Sequence, residues 1–275
     1  MDIQKIKGYD MEKSIVFCFT GTGNSLTVAR DIADKLENCV ILDIGHTEHS
    51  IEVSEYSRIG FVFPVYFLGL PLRVAKFIEG LSVPPGFPGF LFSIATYANV
   101  RGNAVKQAGA ILQKQGQRQN YAAYVKMGDN AIAFYGSNPN IERLAVSYRQ
   151  QMDIIIPKIV AKETILIGRK FQPFEAYYNM MIPRMQKRDE GFQLLDACTK
   201  CGICSDVCPV NNICVRDGKP EFGHNCEQCM ACIQLCPQKA IDYKGKCAKR
   251  NRYKHPNISI NDLIEFHSPP DVTIK

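Results

Sequence analysis

The chain has 275 residues, 46% of them hydrophobic, and its 33 Lys and Arg against 27 Asp and Glu give a formal net charge of +6. No apolar run approaches the ~20 residues that cross a bilayer, and Met1 to Lys5 lack the charged and then apolar pattern of an export signal. These features exclude a transmembrane segment and predict a cytoplasmic protein. The length allows more than one domain.

The first predicted strand is the apolar run Ile15 to Phe19, which leads into the loop Thr20-Gly21-Thr22-Gly23-Asn24-Ser25 and a helix over Leu26 to Leu36. Glycines permit a tight turn, and amides and hydroxyls at a helix N-terminus favour a phosphate. The loop lacks the lysine of a nucleoside triphosphate loop, and a dinucleotide fingerprint would need glycine at Leu26. The pattern favours a phosphate monoester such as that of FMN. The alternative is a plain strand-to-helix turn.

The segments that follow alternate between strands and helices. Predicted strands cover Cys39 to Ile44, Arg58 to Val65, Phe90 to Thr96 and Tyr121 to Met127, and predicted helices cover Leu72 to Leu81, Gly102 to Gln115 and Ile141 to Ile155. Such alternation predicts a parallel sheet with helices on both faces. With the first strand, five strands fit a flavodoxin-like doubly wound α/β fold, which we assign to residues 1–152.

In such a fold the ligand lies beyond the carboxyl ends of the strands, which brings three loops together. The loop from Pro64 to Pro71 supplies aromatic residues and a glycine, and the loop from Thr96 to Gly102 supplies Tyr97. Aromatic rings can stack on an isoalloxazine, although Tyr66 and Phe67 could instead cap the core. The predicted FMN-binding residues are Thr20, Gly21, Thr22, Gly23, Asn24, Ser25, Pro64, Val65, Tyr66, Phe67, Leu68, Gly69, Thr96, Tyr97, Ala98, Asn99 and Gly102.

Residues 153–195 form a predicted helical connector. Pro157, Pro173 and Pro183 argue against one long helix. The segment is rich in aromatic residues and methionine, at Phe171, Phe174, Tyr177, Tyr178, Met180 and Met181. We expect these side chains to pack two domains together, with a membrane-surface or partner-docking patch as the alternative.

Eight of the twelve cysteines form two copies of the spacing Cys-x-x-Cys-x-x-Cys-x-x-x-Cys-Pro, from Cys198 to Pro209 and, 28 residues later, from Cys226 to Pro237. This run holds iron-sulfur clusters in bacterial ferredoxins. An apolar stretch and a glycine turn follow each run, at Ile213 to Gly218 and Ile241 to Gly245, so each half is predicted to be a coil, a short helix and a hairpin. Residues 196–243 are therefore predicted to be a ferredoxin domain with two [4Fe-4S] clusters.

The crossed ligation of two-cluster ferredoxins implies the ligand sets Cys198, Cys201, Cys204, Cys236 and Cys226, Cys229, Cys232, Cys208. Disulfides and zinc are the alternatives. Disulfides of this density belong to exported domains, and zinc sites favour two Cys-x-x-Cys knuckles separated by a longer loop. The other cysteines, Cys18, Cys39, Cys214 and Cys247, are expected to carry no chemistry.

A basic tail, residues 244–275, follows the second run. Its cationic residues are Lys244, Lys246, Lys249, Arg250, Arg252 and Lys254. A solvated face is the ordinary interpretation. The functional alternative is a dock near Lys244 to Lys254 for an acidic redox partner. No recognised nucleic-acid-binding fold accompanies the tail, so nucleic acid is not an expected partner.

The two halves together resemble a family of fused proteins of anaerobes, with an N-terminal flavodoxin-like domain and a C-terminal two-cluster ferredoxin domain. The motifs that carry the resemblance are Phe19 to Ser25, Val125 to Asn130, Asn212-Ile213, Asp217 to Pro220, Cys226 to Cys229 and Arg252 to Pro256. The resemblance to flavodoxins implies that the Leu68-Gly69 peptide reorients toward the reduced flavin. The chain departs from the family at Ala98-Asn99, where family members commonly have a glycine-rich loop.

Three functions are consistent with these features. The first is an electron-transfer protein that relays electrons between the clusters and FMN, to or from a redox partner. The second is an FMN-dependent reductase of a small organic substrate, for which Tyr66 and Tyr97 are the nearest candidate proton donors. The third is an iron-sulfur redox sensor. Whether the chain is an enzyme stays open, and oxygen-sensitive clusters suit an anaerobic cell.

Overall fold

The computed structural model of the protein describes residues 12–47, 51–134, 140–165 and 174–268. Its centre is a five-stranded parallel sheet with the order β2-β1-β3-β4-β5. The strands are β1 (Ser14–Cys18), β2 (Cys39–Asp43), β3 (Arg58–Pro64), β4 (Phe90–Tyr97) and β5 (Tyr121–Lys126). This order is that of the flavodoxin-like doubly wound fold, so the predicted fold class is confirmed.

Four helices pack with this sheet. They are α1 (Asn24–Ala33), α2 (Leu72–Gly80), α3 (Ala104–Lys114) and α4 (Ile141–Val160). Strands covered on both faces need apolar side chains throughout, and every residue of β1 is buried. Helix α1 begins at Asn24 rather than at the predicted Leu26, because Gly23 adopts a left-handed φ of 94° that turns the chain into the helix.

Helix α4 is longer than predicted and crosses residue 152, where the sequence analysis ended the first domain. Pro157 lies inside the helix, which ends three residues later at Val160, so the part of the connector that the structure describes is not one long helix. The guanidinium of Arg58 donates to the carbonyls of Ile159 and Val160, at 3.3 and 2.8 Å. These are carbonyls that a helix end leaves unpaired, so β3 fixes the end of α4.

The rest of the predicted connector leads into the cysteine runs. Helix α5 (Phe174–Met185) and a 3-10 helix (Gln186–Gly191) precede β6 (Phe192–Leu194). Phe171 and Pro173 lie outside the described residues. Strand β6 pairs antiparallel with β9 (Ile241–Tyr243). The hairpin predicted after the second run is therefore wrong, because β9 pairs with a strand that precedes the first run.

The cysteine runs themselves form short elements. They are α6 (Ile203–Asp206), the hairpin of β7 (Ile213–Arg216) with β8 (Lys219–Phe222), and α7 (Ala231–Gln234). The last described element, α8 (Ile260–His267), begins with a capping box formed by Ser259 and Asp262. No helix in the described ranges is long and apolar enough to cross a membrane.

Both halves of the chain contribute to the hydrophobic core of the sheet, and the cysteine half also has a smaller core of its own. Side chains from the second half that join the buried cluster of the sheet are Val207, Cys229, Ala231, Leu235, Ile258 and Leu263. The contact is close enough to require glycine at one point, because a Cβ on Gly45 would lie 1.9 Å from the carbonyl oxygen of Pro209. The cysteine runs are thus fixed against the carboxyl edge of the sheet, where the three predicted loops lie.

Candidate functional site

A cavity of about 500 Å³ lies at the carboxyl edge of the sheet, and we call it the edge cavity. All three predicted loops contribute to it. The predicted residues that line it are Thr20, Asn24, Ser25, Pro64, Val65, Tyr66, Phe67, Leu68, Thr96, Tyr97, Ala98 and Asn99. The predicted residues outside its lining are Gly21, Thr22, Gly23, Gly69 and Gly102.

Further residues that the sequence analysis did not assign complete the wall of the edge cavity. They are Val100, Gly128, Asp129, Asn130, Ala131, Phe134, Tyr177, Met181, Arg188 and Gln228. Gly128, Asp129 and Asn130 form a fourth loop of the cavity. They belong to the motif Val125 to Asn130, which was a signal for this loop in the sequence. The spacing of Tyr177 and Met181, four residues apart on α5, was a second signal, since residues at this spacing share one face of a helix.

Part of the predicted phosphate loop faces the cysteine runs instead of the cavity. A Cβ on Gly21 would lie 2.9 Å from the Cβ of Cys229, and the Thr22 hydroxyl accepts a hydrogen bond from Asn130 Nδ2 at 3.2 Å. That Thr22 contributes to a phosphate site stays a prediction, because its hydroxyl accepts from Asn130 but can still donate. Thr20 and Ser25 line the cavity, and α1 begins between them with the unpaired amides of a helix N-terminus.

The second loop makes a tight turn in which Tyr66 and Gly69 exchange both backbone hydrogen bonds, at 3.0 and 2.8 Å. The central residues Phe67 and Leu68 have φ values of 47° and 65°, which cost side-chain-bearing residues about 1 kcal/mol or more each. The Leu68 carbonyl also accepts from the amide of Asn103 at 2.8 Å. Reorienting the Leu68-Gly69 peptide would break the hydrogen bond at the Leu68 carbonyl and the one at the Gly69 amide. The movement that the resemblance implies therefore has an energetic cost here.

The two candidate proton donors have different surroundings. The Tyr66 hydroxyl is buried and has no hydrogen-bond partner among the described residues. Burial, with smaller contributions from Cys229 and Glu227, raises the pKa of Tyr66 well above its usual value. The Tyr97 hydroxyl accepts a hydrogen bond from Arg101 Nε at 3.2 Å and its ring lines the edge cavity. Tyr66 therefore holds its proton tightly.

The eight cysteines of the two runs line two further cavities. Cys198, Cys201, Cys204 and Cys236 surround one, and we call them the first quartet. Cys208, Cys226, Cys229 and Cys232 surround the other, and we call them the second quartet. Each quartet takes three cysteines from one run and one from the other, as in the predicted ligand sets.

The backbone around both quartets repeats with the sequence. Residues with positive φ occur at Lys200 and Gly202 in the first run and at the equivalent Gln228 and Met230 in the second. Successive amides in such conformations form concave nests for anions, including iron-sulfur groups. The amides of Asn212 and Ala240, which are 28 residues apart, donate to the sulfurs of Cys208 and Cys236 at 3.2 Å each.

The chemistry of the donors fits a cationic cluster core. Burial raises the pKa of Cys226 to about 12 and that of Cys204 to about 11, and it raises the pKa of Cys229 and Cys232 well above the usual value. Thiolates at these positions therefore need a bound cation. Among the described residues, Asp43, His46 and His267 form the group close enough to share a single metal ion, and no three quartet cysteines do.

One segment connects the second quartet to the edge cavity. Gln228 lines the edge cavity, and its side-chain amide donates to the sulfur of Cys226 at 3.2 Å. Its neighbour Glu227 is 3% exposed and accepts from the amides of Leu72 and Arg73 at 3.0 and 2.7 Å. Burial raises the pKa of Glu227 to about 7, against the effect of these two hydrogen bonds. The edge cavity and the second quartet thus share a wall.

The remaining cysteines and the basic tail lie apart from these cavities. Cys18, Cys39, Cys214 and Cys247 line neither quartet cavity. In the tail, Lys244, Lys246 and Lys249 are exposed, whereas Arg250 donates to the Ile132 carbonyl and Arg252 is turned inward. Among the described cationic residues of the predicted dock, the exposed ones are therefore Lys244, Lys246 and Lys249.

No family model matches the chain, and no curated protein matches it. Among solved structures, the flavodoxin of Streptococcus pneumonia TIGR4 is 16% identical over 52% of this chain and 99% of its own, with a TM-score of 0.36. Flavodoxin 1 of Bacillus cereus is 14% identical over 52% and 97%, with a TM-score of 0.37. The rubredoxin oxygen:oxidoreductase of Desulfovibrio gigas is 16% identical over 55% of this chain and 36% of its own, with a TM-score of 0.36. The fold assignment rests on the strand order alone.

Proposed function

We propose that the protein is an electron-transfer protein that binds FMN in the edge cavity and one [4Fe-4S] cluster at each quartet. It would relay electrons between the clusters and the flavin, to or from a redox partner. The observation that carries this proposal is the shared wall. Gly21 and Cys229 are in contact, and Gln228 touches the edge cavity while it donates to Cys226.

The residues of the edge cavity suit FMN in both polarity and shape. The N-terminus of α1 with the hydroxyls of Thr20 and Ser25 would bind the phosphate. Phe67 and Tyr97, on opposite loops, would flank the ring. A bound flavin exchanges one or two electrons and each cluster exchanges one, so the three groups can store and pass on reducing equivalents.

The domain organisation follows from this proposal. A flavodoxin-like domain that includes α4 would be joined through α5 to a ferredoxin domain that begins at β6. Because Tyr177 and Met181 of α5 line the edge cavity, the connector would cover the flavin. The Tyr66 hydroxyl faces Gly21 beside Cys229, which leaves the reductase alternative without this proton donor.

The exposure of the first quartet indicates the surface where a redox partner would dock. Cys201 is exposed, and Cys198 and Cys236 are partly exposed, whereas all four members of the second quartet are buried. Electron transfer between proteins is favoured by a short distance to the surface. A partner would therefore approach Cys201, and the exposed Lys244, Lys246 and Lys249 would attract one with an acidic surface.

The test is the cofactor content of anaerobically purified protein and of two variants. The wild type should hold one FMN and about eight irons per chain. Cys229→Ser should lose about half of the iron, because it removes a ligand of the second quartet. Cys214→Ser, an exposed cysteine outside both quartets, is the matched control and should keep all of it. Equal iron in the two variants, or no iron in the wild type, would refute the proposal.

A further inference from the structure

Arg252 is a buried cation without a hydrogen-bond partner. Its Nε, Nη1 and Nη2 atoms are all buried, and none has a partner among the described residues. A guanidinium carries five N–H donors and stays charged in proteins. Leaving such a charge unpaired among buried atoms is destabilising, so the position of Arg252 favours a negative group that the described side chains do not supply by direct contact.

The backbone next to Arg252 is fixed to the second cysteine run. The amide of Tyr253 donates to the side-chain oxygen of Gln234 at 2.7 Å, and Gln234 is the last residue of α7, between Cys232 and Cys236. The Tyr253 hydroxyl donates to Asn24 at 2.8 Å on the other side. Arg252 therefore has a defined place beside the two cysteines.

The thiols and the carboxylate around Arg252 include one member of each quartet. Burial lowers the pKa of Arg252, and the groups that oppose this effect are, in decreasing order, Cys247, Cys236, Asp242 and Cys232. Cys236 is in the first quartet and Cys232 in the second.

Asp242 does not neutralise Arg252 by a direct ion pair. One carboxylate oxygen of Asp242 accepts from the amide of Cys247 at 2.6 Å, and the other is buried without a partner among the described residues. A further source of negative charge is the quartets, because a core with four thiolate ligands has a net negative charge that increases on reduction.

We propose that Arg252 is the internal counter-charge of the two clusters and raises their reduction potentials. The inference rests on the proposed cluster content. A fixed positive charge attracts an added electron, so Arg252 favours the reduced state of both clusters.

The test compares Arg252→Met with Lys249→Met, which removes the same charge from an exposed site in the same tail. Iron content and the midpoint potentials of both clusters are measured by EPR-monitored redox titration. In R252M the equilibrium constant for reduction of both clusters should fall about tenfold, which is 59 mV for one electron. K249M should have the same iron content and the same two midpoint potentials as the wild type. R252M with full iron and unchanged potentials would overturn the inference.

A third variant, Arg252→Lys, covers the case in which R252M does not retain its clusters. R252K keeps the charge and should retain the iron that R252M loses. Loss of iron from R252K to the same extent would show that the shape of the side chain is required and would overturn the role of its charge. A wild-type protein without iron would instead refute the proposed function, so the two failures are distinguishable.

Discussion

A single carboxylate, that of Asp43 at the end of β2, joins three separate parts of the chain. Its Oδ2 accepts from Nδ1 of His46 at 2.7 Å and from Nδ1 of His267 at 2.8 Å. The other ring nitrogen of His46 lies 2.9 Å from the side-chain oxygen of Asn211. With the Asn211 oxygen as acceptor, both nitrogens of His46 donate, as in an imidazolium. These hydrogen bonds account for the geometry without a metal ion.

The charge of His46 should make the stability of the protein depend on pH. The hydrogen bond to Asp43 is the largest contribution that raises the pKa of His46, and burial opposes it. The stabilisation is therefore complete below the ordinary histidine pKa of about 6.5 and is lost as the pH rises through the higher folded value. The stabilisation is also lost at low pH, when Asp43 becomes protonated. Burial raises the pKa of Asp43, but the hydrogen bonds from His267 and His46 outweigh this effect and hold the pKa below its usual value.

The measurement is the melting temperature of His46→Gln and of the wild type between about pH 6 and about pH 9. At the acid end the variant should be less stable by about 2 kcal/mol, the value of a hydrogen bond to a charged group. The difference should shrink toward the alkaline end. In an Asp43→Asn background His46→Gln should produce no pH-dependent difference. A difference that is constant across the range would contradict the assignment of the charge.

Among the secondary-structure elements, α2 depends on a residue from the other half of the chain. Its N-cap residue, Pro71, makes no side-chain capping hydrogen bond. The carboxylate of Glu227 takes that place by accepting from the first amides of the helix, Leu72 and Arg73. A negative group at a helix N-terminus also interacts favourably with the helix dipole. The second loop of the edge cavity ends at this cap, so Glu227 holds that loop against the second quartet.

Removing the cap should loosen the start of α2. Glu227→Ala should accelerate hydrogen exchange at the amides of Leu72 and Arg73, corresponding to a loss of about 1–2 kcal/mol of local stability. Glu221→Ala, which removes an exposed carboxylate from β8, is the control and should leave the exchange of both amides unchanged. Equal exchange in Glu227→Ala and the wild type would show that these amides do not need the cap.

At the scale of the whole molecule, the sheet half and the cysteine half pack against each other within the described residues, although the sequence separates them. The alternation of apolar strands and helices was sufficient to predict the five-stranded sheet, and the two cysteine spacings were sufficient to predict which cysteines share a cavity. Strand β6 could not be predicted, because three residues, Phe192–Leu194, form no periodic pattern.

The wall of the edge cavity was only partly predictable, because some of its residues are far from the three loops in sequence. The three loops follow strands, so the fold places them together. Arg188 and Gln228 are remote from those loops in sequence and reach the cavity only because the two halves share a core. Glu227 and Gln228 were visible as part of a motif, but their contacts with α2 and with the cavity depend on tertiary packing.

The most direct test of the account is an anaerobic titration with dithionite, followed by the absorbance of the flavin and of the clusters. The shared wall requires both kinds of cofactor in one chain. The account predicts uptake of about four electrons per chain, two at FMN and one at each cluster. Uptake of about two electrons, with the flavin absorbance alone bleaching, would contradict it.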